Sequence, residues 1–96
     1  MGEIFSIFKS QIYVYISIDG PKNNFGGMFI PELIVLLPTK NEEVGVVEVI
    51  DRIPVKKIQS KGFECRIVVV DGNSSDSTCK VAKSKGAEII ISPIDI

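Results

Sequence analysis

The sequence predicts an α/β fold built on a parallel sheet, and three observations carry that expectation. Leu33-Ile34-Val35-Leu36-Leu37 and, after Arg66, Ile67-Val68-Val69-Val70 are short apolar runs, the pattern of strands buried on both faces. Each is followed by a polar turn and then by apolar residues at helical spacing. The segment 87–91 repeats the strand pattern after the second helix. The resulting order, β-α-β-α-β, folds through right-handed crossovers into a parallel sheet.

In the first strand Pro38 cannot donate to a ladder and is expected to close it. Asn41 reads as an N-cap, with Glu42 and Glu43 in the first helical turn, where the macrodipole favours anions. Val46, Val47, Val49, Ile50 and Ile53 carry a helix over 42–53. Pro54 breaks or kinks it, and 55–60 forms a further short turn that Lys61-Gly62 ends. The second strand closes on Asp71, and Gly72-Asn73-Ser74-Ser75 is a turn in which Ser74 or Ser75 caps a helix over 76–85. Lys80, Lys83 and Lys85 lie toward the end of that helix, and Gly86 follows as its C′ residue.

Residues 1–27 follow different rules from residues 28–96. The β-branched and aromatic stretch 11–18 predicts a strand, and the turn formers of 19–27 predict a loop or linker. The chain therefore divides into an N-terminal extension, 1–27, and an α/β domain, 28–96. Two readings of the boundary stay open: a true extension, or translated upstream sequence with Met28 as the natural start. The apolar stretch 4–18 is interrupted by Lys9 and Gln11 and has 15 residues. A membrane-spanning helix needs ~20. Glu3 and the poor cleavage context Ile18-Asp19-Gly20-Pro21 argue against a signal peptide.

Composition excludes several function classes. Eleven basic against twelve acidic residues leave a net charge of -1, without the basic excess of a nucleic-acid binder. Histidine is absent, which removes Ser-His-Asp and Cys-His catalysis and any His-ligated metal from this chain. Cys65 and Cys79 are too far apart for a C-x-x-C motif and read as reduced thiols that pack. The expectation is a soluble, cytoplasmic protein, with contact at a membrane face left open.

Ligands of open parallel sheets sit at the carboxyl ends of the strands. Pro38-Thr39-Lys40-Asn41-Glu42, Asp71-Gly72-Asn73-Ser74-Ser75-Asp76 and Ser92-Pro93-Ile94-Asp95 meet that rim. Carboxylates there suit ribose hydroxyls or base N–H donors, and helix N-termini suit phosphate. Neither G-x-G-x-x-G nor G-x-x-x-x-G-K-[ST] is present, which argues against a dinucleotide-binding Rossmann domain and a P-loop. A receiver domain would need an acidic pair where Pro38-Thr39 stands.

The paired motifs Leu36-Leu37-Pro38-Thr39-Lys40-Asn41-Glu42-Glu43 and Val69-Val70-Asp71-Gly72-Asn73-Ser74-Ser75-Asp76-Ser77-Thr78 resemble the start of a family 2, GT-A fold glycosyltransferase. The dolichyl- and polyprenyl-phosphate sugar synthases are the most similar in flavour, over residues 30–91. The resemblance implies the nucleotide-binding half of a GT-A fold, with a UDP- or GDP-hexose as ligand. It implies that Pro38, Thr39 and Glu42 line the base and ribose pocket, that Val70 and Asp71 close it, and that Asn41 fixes the loop. It further implies a polyprenyl phosphate or another hydroxyl as acceptor and Mg²⁺ or Mn²⁺ as the cofactor of the full-length family.

Three departures stand out. Gly72 takes the place of a second aspartate, as in a subset with Asp-Gly-x-Ser, and Lys40 replaces a common aromatic. The family's D-x-D motif, which carries the metal and the diphosphate, lies beyond the third strand and does not occur here. No catalytic or metal-ligating residue is therefore assigned, and the chain is expected to be inactive alone. A reading from another class is a non-catalytic nucleotide-binding or assembly module that pairs with a separate C-terminal half. The sheet edge beyond the third strand is expected to need covering, by 12–18 or by a second copy of the chain.

Overall fold

A computed structural model describes residues 2–7, 10–17, 24–25 and 28–93, with side chains described over 12–17 and 30–93. The chain runs β1 (Gly2–Ile7), β2 (Ser10–Ser17), β3 (Asn24–Phe25), β4 (Met28–Phe29) and β5 (Glu32–Thr39). It continues through α1 (Glu43–Arg52), α2 (Val55–Ser60), β6 (Glu64–Asp71), α3 (Thr78–Ser84) and β7 (Glu88–Ile91). The turn expected over 19–27 lies outside the described residues, except that Asn24–Phe25 pairs with Met28–Phe29 as a short antiparallel ladder. Phenylalanine at both ends of that ladder has the β-propensity the loop reading overlooked. The rim residues Ile94 and Asp95 also lie outside the described residues.

The α/β class holds, on a mixed five-stranded sheet of order β1-β2-β5-β6-β7. β5, β6 and β7 are parallel, as the strand–helix rhythm requires, while β1 and β2 add antiparallel to the β5 side. The strand expected near 11–18 exists, but it covers the β5 edge and leaves the edge beyond β7 alone. Register explains the choice. Opposite β5, Val14 pairs with Val35 and Ile16 with Leu33, so the apolar residues of β2 fall on the same face as the core residues of β5.

Pro38 does not end β5, contrary to expectation. The strand continues to Thr39, and Pro38 stands opposite Val70 in the parallel ladder. The Thr39 carbonyl accepts from Gly72 N–H at 2.9 Å and so faces β6. Alternation therefore turns the amide position of Pro38 toward β2, whose ladder has stopped at the Tyr13–Leu36 pair. The missing donor closes one ladder and spares the other.

The helices pack on one face of the sheet. Val46, Val49 and Ile50 of α1 and Ala82 of α3 join Ile12, Val35, Leu37, Val69 and Ala87 in a single core. Pro54 breaks the helix as expected: Ile53 is extended (φ -74, ψ 119), and α2 starts afresh after Pro54. Gly86 adopts φ 95 past the end of α3 and bonds Lys83 O, while Ala87 N–H bonds Ala82 O. That left-handed turn is the expected C′ role of glycine. On the far face, Arg66 binds Glu88 through two bonds of 2.8 Å and approaches Glu32 at 3.5 Å, spanning three strands. Among the described residues no helix is long and apolar enough to cross a membrane.

These positions predict a steep contrast in substitution cost. Leu37 is 3% exposed and Ile90 52% exposed. Leu37→Ala is expected to cost about 2–5 kcal/mol through lost burial and the cavity left behind. Ile90→Ala should stay within about 0.5 kcal/mol of the parent. Urea denaturation midpoints of the two variants measure the difference, and equal midpoints would contradict this core.

Candidate functional site

The rim loops 39–43 and 71–78 follow adjacent parallel strands, and the structure fastens them together. Thr39 and Asp71 are register partners at the carboxyl ends of β5 and β6. Both side chains point to the helix-covered face, and they are 5% and 1% exposed. The Thr39 hydroxyl donates to Asp71 Oδ1 at 2.7 Å. Ser74 donates its hydroxyl to the same oxygen at 2.6 Å and its amide to Oδ2 at 2.7 Å. The Asp71 carbonyl also accepts from Ser92 N–H at 2.7 Å, so Asp71 links all three parallel strands at the rim.

Burial opposes ionisation of Asp71. The Ser74 hydroxyl and amide and the Thr39 hydroxyl outweigh it and hold the carboxyl below the usual carboxylate range. Cys79 lies against this group, and burial, followed by the hydrogen bond and charge of Asp71, pushes its thiol up. Cys65 is raised by burial. Both cysteines are free and half-buried, as inert packing thiols should be.

The helix starts are held from across the gap. The first-turn acid of α1, Glu43, accepts from Ser77 N–H at 3.0 Å, just before α3. In return Asp76 accepts from Glu43 N–H at 3.3 Å and from Thr78 N–H at 3.0 Å. Thr78 donates its hydroxyl to Asp76 and accepts from Glu42 N–H at 2.9 Å. Its hydroxyl, then its amide, keep Asp76 below the usual range. Each helix N-terminus is thus capped by residues belonging to the other.

That exchange corrects the capping expectations. Glu42, not Asn41, occupies the N-cap position of α1, and Ser77, not Ser74 or Ser75, that of α3. Asn41 instead adopts φ 51, and its side-chain oxygen accepts from Ser75 N–H at 2.8 Å. Its own amide donates to Ser74 Oγ at 2.8 Å. Asn73 takes φ 68 in the facing loop. Asparagine tolerates this region better than other side-chain-bearing residues. Lys40 lays its ammonium on Gly72 O at 2.6 Å and Asn73 O at 3.3 Å, a loop tie the sequence did not reveal. Every one of these bonds spans more than thirty positions, beyond the reach of a local capping rule.

The residues expected to bind a nucleotide divide into two sets. Thr39 and Asp71 are interior and bonded to each other. Pro38 and Val70 are neighbours on the face turned away from the helices, both half-buried, and Glu42 is half-buried at the start of α1. For the implied divalent metal the fit is poor: the described residues contain no group of three or more His, Cys, Asp or Glu side chains able to hold an ion. Comparison with protein-family models, curated proteins and solved structures returned no match.

The network predicts that Asp71→Asn costs about 1–3 kcal/mol, because an amide nitrogen then faces donors that need an acceptor. Its pH dependence has a definite sign. A depressed carboxylate contributes stability that is complete above about pH 4, the unfolded value, and is lost as pH falls through the folded value. The gap between parent and Asp71→Asn should therefore be constant near neutrality and shrink in acid. Chemical denaturation from pH 7 down to pH 3 measures it, and a gap that widens in acid would contradict the assignment.

Proposed function

We propose that this chain binds a nucleotide-sugar, a UDP- or GDP-hexose, as the nucleotide-binding part of a family 2-like glycosyltransferase. The observation that carries this reading is the juxtaposition of the two rim loops at the carboxyl ends of adjacent parallel strands, where ligands of open α/β sheets sit. In this reading Pro38 and Val70 offer apolar contact to the base or ribose, and Glu42 accepts from a sugar or base donor. Thr39 and Asp71 act as positioning residues that hold the loops at a fixed spacing. The donated hexose would pass to a polyprenyl phosphate or another hydroxyl acceptor, at a membrane face where the acceptor is a lipid. Nucleotide-sugar binding is the activity this reading assigns to the residues of this chain.

A second reading, a non-catalytic assembly module that joins a separate C-terminal half or a second copy, draws on one observation. β7 ends the sheet order, and its Ile90 and Ile91 are 52% and 54% exposed. Such an edge is a template for pairing.

The deciding experiment is a heteronuclear NMR titration with UDP and then GDP, with and without Mg²⁺ or Mn²⁺. Shifts clustered at Glu42, Val70 and the 72–75 loop are expected with one base preferred. A dispersed spectrum indifferent to both nucleotides would overturn the binding claim. Glu42→Gln removes a charged acceptor and is expected to weaken binding about 10- to 100-fold by calorimetry. Light scattering of the same samples reports self-association through the β7 edge.

A further inference from the structure

A cavity of about 400 Å³ opens on the helix side of the sheet, between β2, the amino-terminal half of β5 and the α1–α2 corner. It is separate from the rim: its floor is Val14, Leu33 and Val35, far from the carboxyl end of β5. The helix break at Pro54 lies on its border, with Ile53, Pro54 and Ile58 all lining it. Val49 and Ile58 form its walls. Arg52, an exposed side chain in the last turn of α1, is the one polar side chain lining it among the described residues.

The chemistry of that lining is specific. Ligand pockets run to about 300–1,000 Å³ and are mostly apolar with a few polar groups that fix orientation. Here the volume sits at the small end, enough for one chain and too little for a two-chain lipid. Arg52 makes no ion pair or hydrogen bond among the described residues, while the adjacent Asp51 is engaged by Lys85 at 3.0 Å. A cation with no partner among the described residues, at the mouth of an apolar cavity, complements an anionic head on an apolar tail. Guanidinium pairs with carboxylate through two parallel bonds.

We propose that this cavity binds the chain of a single-chain fatty acid, with Arg52 holding the carboxylate. The site is independent of the nucleotide reading and survives its failure.

The probe is dodecanoate, kept below its micellar concentration and titrated into the full chain by NMR and calorimetry. Shifts are expected at Val14, Leu33, Val49 and Ile58, and not at the rim. Across octanoate, decanoate and dodecanoate each added methylene should tighten binding about fourfold. Arg52→Ala should weaken dodecanoate at least tenfold. Lys56→Ala, an exposed basic neighbour outside the cavity lining, should leave it unchanged. Dodecanol and dodecyltrimethylammonium should bind at least tenfold more weakly than dodecanoate. The proposal is overturned by absence of dodecanoate binding, by equal binding of the cationic amphiphile, or by an Arg52→Ala affinity equal to that of the parent. Arg52 is exposed, so its replacement leaves the core intact and a null result stays interpretable.

Discussion

The buried bond between the Thr39 hydroxyl and the Asp71 carboxylate is the contact on which the rim depends. A carboxylate with 1% exposure is costly to ionise unless its oxygens are occupied. Thr39 and Ser74 provide that occupation from the two sides of the gap between β5 and β6. Once Asp71 is fixed, Ser74 is fixed, and Ser74 in turn receives the amide of Asn41. One acidic side chain satisfied inside the protein thus connects β5, the loop after β6 and, through Ser74, the left-handed turn at Asn41. No buried side-chain polar atom among the described residues lacks a partner, so the network is complete in the sense that favours a rigid arrangement.

Reciprocal capping extends this order to the helices. α1 has ten residues and α3 seven, short enough that their stability comes from packing and from their ends. Lending Glu43 to the start of α3 and Asp76 to the start of α1 couples the two ends. Loss of either loop geometry therefore weakens both helices together. The same contacts put acidic groups where the macrodipoles favour them. They also occupy several of the amides that a phosphate would otherwise meet at a helix N-terminus.

The periodic and covalent features of this fold were legible in the sequence, and the long-range ones were not. The apolar runs, the break at Pro54 and the C′ role of Gly86 follow from residue type and spacing, which act locally. Pro38 was half legible: its missing donor matters on the side of β2, and nothing local says which neighbour a strand has on each side. Asn41 and Ser74 are excellent capping residues by composition, yet both are drawn into cross-loop bonds more than thirty positions away. The placement of β2 was hidden for a related reason. An antiparallel strand can add to either edge, and its choice of β5 rests on a face-matching register that appears only once both strands are laid side by side.

A rim that satisfies its own polar groups restricts how any ligand can use it. Reaching Asp71 or Thr39 would mean breaking the bond between them and leaving a donor or an acceptor unpaired in the interior. The groups open to exchange at low cost are the outer ones: Glu42, the face of Pro38 beside Val70, and the exposed side chains of Asn73 and Ser77. A ligand held by those groups meets a surface already set by the interior network, so little ordering entropy is left for binding to oppose. Selectivity at such a surface comes from the fit of the outer groups, while the inner pair governs whether that surface exists at all.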